Sequence, residues 1–191
     1  MKKLYATKLY IALMHYPVLN KNGEIIASAV TNLDLHDIAR AAKTYGIRKF
    51  FIVTPLKEQQ ELVKKLVSHW TDGTGARYNP KRREALELIS LKNSLAETIN
   101  HLNNTGEGCP KTVVTSARQN NKSISFSKLR NKLKDGKPHI LVFGTAWGLS
   151  GNFIAKADYL LEPVMGGSRY NHLSVRCAAG IIMDRLLGND S

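Results

Sequence analysis

Three stretches in the C-terminal half place small and polar residues where apolar runs stop. They are TVVTSAR (112–118), LVFGTAWGLS (141–150) and LLEPVMGGSRYNHLS (160–174). In an open parallel sheet, ligands bind outside the carboxyl ends of strands, so three such ends define one crevice. Glycine lets main-chain amides and carbonyls approach a flat ligand closely, and the apolar Leu149, Leu161 and Val164 suit its faces. That pattern fits a purine read by main-chain groups. Structural turns alone would also account for each loop taken singly.

Other chemistries lose ground on the same residues. GEGCPKT (106–112) resembles a phosphate-binding loop only superficially. Its lysine follows Pro110 where that motif needs glycine, and a strand rather than a helix comes next. No glycine fingerprint for a dinucleotide and no serine-nucleophile elbow is present. The six histidines are dispersed and the two cysteines, Cys109 and Cys177, are neither a disulfide framework nor a zinc quartet, so no metal is expected. So few cysteines suit a reducing cytoplasm.

The elements that must position the crevice follow from periodicity. Apolar runs at 9–16, 24–30, 49–54, 112–117, 139–144 and 158–164 read as strands, several apolar on both faces. Between them, helical patterns cover 32–46, 57–70, 81–89, 94–104, 127–134 and the stretch from Leu173 to Gly188. The first is expected to start at an Asn32 cap. Alternating strands and helices predict an α/β fold, a mostly parallel sheet flanked by helices, in a single domain spanning 1–191. The N-terminus reads as a first strand rather than a leader, and no run approaches the ~20 apolar residues of a membrane span. Residues 69–85 break the rhythm with glycines, rings and basic residues. They suggest an excursion that contacts RNA, or only a long loop.

Charge narrows the partner. Twenty-eight Lys and Arg against 15 Asp and Glu give a formal +13, which favours a polyanion such as nucleic acid. Seven Lys or Arg and no acid lie between Lys111 and Lys134, and Arg77, Lys81, Arg82 and Arg83 form a second cluster. Solvated helix faces also carry such runs.

LVFGTAWGLS followed by LLEPVMGGSRYNHLSVRCAAGIIMDRLLG closely resembles the last two motifs of the SPOUT (SpoU and TrmD) RNA methyltransferases, in particular a compact bacterial group. TNLDLHDIARAAKTYGI resembles the first SpoU motif, with Asn32 followed eight residues later by Arg40. The resemblance implies a SPOUT α/β-knot with a C-terminal trefoil knot over about 112–188, bound S-adenosylmethionine and a homodimer acting on tRNA or rRNA. General connection rules argue against a knot, so only the resemblance supplies it.

Carried over by position, the resemblance puts Thr115, Ser116 and Ala117 in a first cofactor loop and Gly144, Gly148 and Leu149 in a second. A third holds Leu161, Pro163, Val164 and Gly166 with Asn171, His172, Leu173 and Ser174. Arg40, supported by Asn32, would handle the acceptor nucleotide. Arg77, Lys81, Arg82, Arg83, Arg118, Arg169 and Tyr170 are the RNA-binding candidates.

Plainer readings stand beside these. Arg40 suits a surface ion pair with Asp37, Asn171 and Ser174 suit capping of the last helix, and His172 suits either a base or a structural bond. GTAWGLS lacks the Glu common in the second SpoU motif, which leaves the base unassigned. A non-catalytic RNA-binding protein retaining the cofactor slot is the alternative function.

Overall fold

A computed structural model describes residues 7–168 and 170–189. The centre of the molecule is β1 (Leu9–Met14), whose six residues are all buried. It pairs in parallel with β4 (Phe50–Val53) on one side and β7 (His139–Gly144) on the other. Outside these lie β5 (Ile89–Lys92), then β6 (Lys111–Val114) and β8 (Tyr159–Leu160), giving the order β5-β4-β1-β7-β6-β8. β2 (Val18–Leu19) and β3 (Ile25–Ile26) form a separate antiparallel hairpin.

The strand sequences are apolar on both faces because helices cover both. Successive residues of a strand point to opposite sides, and the core divides accordingly. Leu9, Ile11, Leu13, Phe50, Ile52, Leu141 and Phe143 pack beneath α1 (Asn32–Thr44) and α8 (Val175–Leu187). α6 (Phe126–Lys132) adds Leu129 to the same side. Tyr10, Ala12, Phe51, Ile140 and Val142 pack on the other side, with Leu102 of α5 (Leu95–Asn104) and half-buried Phe153 and Ile154 of α7 (Gly151–Ala155). Among the described residues no helix is long and apolar enough to cross a membrane.

Several boundaries differ from the sequence expectation. Thr31, not Asn32, caps α1: its Oγ1 accepts from the Asp34 amide at 3.2 Å. The helix expected over 81–89 stops at Leu86, and Ile89 opens β5, an edge strand whose half-buried residues lack an all-apolar signature. The strands expected at 24–30 and 158–164 shrink to two residues each, with Leu161 adding a single parallel bridge to Ile124.

The 69–85 excursion is largely helical. α2 (Lys57–Thr71) ends inside it, followed by α3 (Thr74–Tyr78) and α4 (Pro80–Leu86). Asn79 caps α4 by accepting from the Arg82 amide at 3.0 Å, with Pro80 in the first turn where a missing N–H costs nothing. This block packs on α1 and α2.

Candidate functional site

The three loops do converge beyond the carboxyl ends of β6, β7 and β8, and each is fixed by hydrogen bonds to a distant segment. In the first, Thr115 extends the ladder: its amide and Oγ1 both donate to the Val142 carbonyl, at 3.0 and 3.2 Å. Ser116 Oγ then accepts from the Arg118 amide at 3.1 Å, turning the chain outward.

The second loop doubles back on itself. A Cβ on Gly144 would stand 2.9 Å from Leu149 Cγ and 3.0 Å from the Gly148 carbonyl carbon and Leu149 amide nitrogen, closer than real Cβ atoms come. Gly148 has φ +88°, which favours glycine. The amide and Oγ1 of Thr145 donate to the Met14 carbonyl at 3.2 and 3.0 Å. The β2–β3 hairpin grips the loop from outside: Trp147 N donates to Leu19 O at 3.1 Å, and Leu19 N donates to Gly148 O at 2.9 Å.

In the third loop, Leu161 N donates to Val114 O at 2.9 Å and Glu162 Oε1 accepts from the Phe126 amide at 2.7 Å. Asn171 Nδ2 donates to the Ala117 carbonyl at 2.9 Å, so the third loop closes directly on the first. Ser174 caps α8 by accepting from the Cys177 amide at 3.3 Å. The two plain readings thus separate: Ser174 caps, whereas Asn171 bridges loops. A Cβ on Gly166 or Gly167 would meet nothing within 4 Å, so their main chain is open. His172 is exposed, with its ring edge-on to Tyr170 at 6.3 Å.

This arrangement fits an adenosyl group. Leu149 is buried in the core layer on one side of the sheet and Leu161 in the layer on the other, with Pro163 and Val164 half-buried, so apolar side chains back the loops from both layers. The tight Gly144 turn leaves no space for a side chain in that cradle.

A support absent from the sequence reading lies under the second loop. His15, fully buried just past β1, shares a 3.2 Å hydrogen bond between Nδ1 and Ser28 Oγ, and Ser28 in turn contacts Thr145 Oγ1. Burial pushes the His15 pKa down to about 4, against the opposing pull of Asp34, so the ring is neutral near pH 7. A histidine closing an apolar strand was the only signal available.

α1 presents two polar faces. On one, Arg176 of α8 lies 3.6 Å from Asp34 and 3.5 Å from Asp37, and Tyr45 OH donates to Asp184 at 2.9 Å. Asp37 is therefore engaged by Arg176 rather than by Arg40. On the other face, Arg40, Lys43 and Thr44 line a cavity of about 520 Å³ with Asn79, Lys81, Arg82, Glu84 and Ala85. Asn32 is exposed at the start of α1.

The RNA candidates are unequal. Arg77, Arg118 and Tyr170 are exposed, Lys81 pairs with Glu84 at 2.9 Å, and Arg83 pairs with Glu87 at 2.8 Å. Arg82 is half-buried with its guanidinium 4.4 Å above the Trp70 ring. The His36 ring meets Trp70 edge-on at 5.5 Å, and burial together with the nearby Arg82 charge lowers its pKa. Arg169 lies outside the described residues.

Fold comparison sets the class. The chain is similar to the TrmH/SpoU tRNA modifying enzyme of Aquifex aeolicus, at 17% identity and TM-score 0.56 over 95% of this chain and 74% of that one. It is similar to the SpoU methyltransferase AviRb of Streptomyces viridochromogenes, solved in complex with AdoMet, at 15% identity and TM-score 0.59 over 95% and 57%. The sheet with its flanking helices is a SPOUT fold. Residues 8–188 match the model of a family described as SAM-dependent RNA methyltransferase, and the chain belongs to that family.

A tRNA (guanine-N(1)-)-methyltransferase of Oleidesulfovibrio alaskensis is 42% identical over 181 residues, 95% of this chain and 42% of that protein. An uncharacterized protein of Aquifex aeolicus is 38% identical over 183 residues, 95% of this chain and 89% of that protein. The chain thus spans less than half the length of the named tRNA methyltransferase.

Proposed function

We propose that the chain, as one domain, methylates a nucleotide of tRNA or rRNA, with S-adenosylmethionine held in the cleft formed by 115–117, 144–149 and 161–174. The observation that carries this reading is the convergence of those loops, closed by Asn171 on Ala117 and by the hairpin on Gly148. The cofactor supplies an electrophilic methyl group on a sulfonium. Main-chain groups of the three loops hold and orient the adenosyl moiety, and the buried Leu149 and Leu161 anchor those loops to the two core layers. No charged side chain is needed for that task.

The acceptor atom, a guanine N1 or a ribose hydroxyl, has to shed a proton as it reacts. The Arg40 guanidinium acts by charge, lowering the acceptor's pKa rather than taking the proton. α1 runs from the carboxyl to the amino edge of the sheet, and four residues past its end the Arg48 amide donates to Leu9 O. Arg40, eight residues beyond Asn32, therefore lies roughly 12 Å down that axis. A homodimer that sets this face against the cleft of the partner subunit would reunite them, and the trefoil knot over 112–188 belongs to the same reading.

Transfer of tritiated methyl from S-adenosylmethionine into RNA of a strain lacking the protein tests the activity, and nucleoside mass spectrometry names the acceptor. Arg40→Ala is expected to lower kcat/KM by about 10²–10⁴, the usual reach of such a group, with calorimetric cofactor affinity unchanged. Cofactor binding without any transfer would favour a non-catalytic RNA-binding protein.

A further inference from the structure

Beside Arg40, the groove between α1 and α4 holds cations that the catalytic reading does not require. Arg40 and Lys43 from α1 and Lys81 and Arg82 from α4 line one concavity, with Glu84 its single carboxylate. Cations spaced along one solvated helix repel little. Cations brought together from two helices repel more and leave a field that an anion relieves. Arg82 is fixed in advance by stacking on Trp70, so less freedom is lost when a ligand binds. At about 520 Å³ the groove exceeds what a lone phosphate needs and falls within the ~300–1,000 Å³ range of small-ligand sites. Tyr78, which directly precedes the groove residue Asn79 in the chain, is 88% exposed, the largest exposure of any large apolar side chain among the described residues.

Phosphate-binding cations beside a bare aromatic ring are the ingredients of a site for single-stranded nucleic acid. We propose that the α1–α4 groove binds the sugar–phosphate of an unpaired RNA nucleotide, with Lys43 on the phosphate and Tyr78 stacked on the base, while Lys81 stays paired with Glu84. The proposal rests on the RNA methyltransferase reading and adds to it a preference for RNA with an unpaired segment. Duplex RNA, whose bases are not free to stack on a ring, gains only the charge contribution.

Fluorescence anisotropy with the full chain tests this, using a labelled single-stranded oligonucleotide and a duplex of the same length. Tyr78→Ala is expected to weaken single-strand binding about 10-fold, Tyr78→Phe to restore it, and duplex binding to stay unchanged. Lys43→Ala is expected to reduce the single-strand slope of log affinity against log salt by roughly 0.7. Cofactor affinity by calorimetry stays at the wild-type value in each variant. Wild-type affinity and salt slope in these variants, with methyl transfer intact, would overturn the groove assignment alone. Equal losses on duplex and single strand would overturn the stacking role. A wild-type chain that binds cofactor and RNA but transfers no methyl would instead remove the enzymatic reading and leave the groove standing.

Discussion

The cleft beyond the sheet and the groove beside α4 are organised in opposite ways. The cleft is knitted by hydrogen bonds between segments far apart in the chain, most of them uncharged, such as Asn171 to Ala117, Thr145 to Met14 and Leu19 to Gly148, with the Glu162 carboxylate on the Phe126 amide as the charged exception. The groove is a packing junction of helices whose cations remain in contact with water, apart from Arg82 on Trp70. Backbone hydrogen bonds set positions to a fraction of an ångström and are insensitive to salt, whereas exposed charges attract at a distance and are screened. Alignment of a donor methyl calls for the first device and capture of a polyanion for the second. α1 joins the two regions, held to α8 through Arg176 on one face and lining the groove on the other.

This contrast can be broken by perturbing each region under varied pH and salt. The largest effect is expected at His15. Its folded pKa of about 4 lies below the ordinary value near 6.5, so the neutral ring's contribution is complete above pH 6.5 and is lost as pH falls towards 4. The loss, roughly 3 kcal/mol, is read from chemical unfolding across that window as the difference between the wild-type profile and that of a His15→Asn control. Wild-type and control profiles that run parallel would remove His15 from the cleft's support.

Next comes Gly144→Ala. The added methyl meets backbone that cannot yield cheaply, and a loss of about 2 kcal/mol in unfolding free energy with weakened cofactor binding is expected. Full cofactor affinity in that variant would show the turn to be adaptable. Asn171→Ala removes one bridge between loops and should cost about 1 kcal/mol, near 5-fold in cofactor affinity by calorimetry, the same at low and high salt. A salt-dependent loss would mean that the cleft relies on charge after all. The smallest change is expected for Asp37→Asn, an exposed partner of Arg176: a few tenths of a kcal/mol at low ionic strength, vanishing near ~1 M salt in thermal unfolding.

The parts of the fold legible in the sequence are those where burial is complete. β1, β4 and β7 read directly because both faces of each are covered, so nearly every residue is apolar, and β6 read through its buried Val113 and Val114. β5 was lost because it is half-buried at an edge, and the helical periodicity of the preceding KRREAL ran into its first residue. The two-residue β3 and β8 carry too little pattern to bound, and the apolar residues around them serve loops instead.

The site shows the same division. The three loops were visible because glycines and polar residues sit at strand ends, and the motif resemblance grouped them. Their closure was not visible, because Asn171 reaching Ala117 depends on a separation of 54 residues that only packing spans. His15, Ser28 and Arg176 escaped notice since each has an ordinary local setting. Arg40 was found by its motif, yet its surroundings differ from the expected pair with Asp37, because Arg176 occupies that carboxylate.

By itself, then, the sequence determined the alternation of strands and helices, the basic surface and the identity of the loops. These depend on local periodicity, net charge and residue type, which a linear chain carries in full. Only the tertiary structure decided which residues face one another across α1, which loop closes on which, and where Arg82 and Asp37 direct their charges. Contacts of that kind join residues tens of positions apart, and the free energy that selects them comes from burying the two core layers together, a property of no single segment.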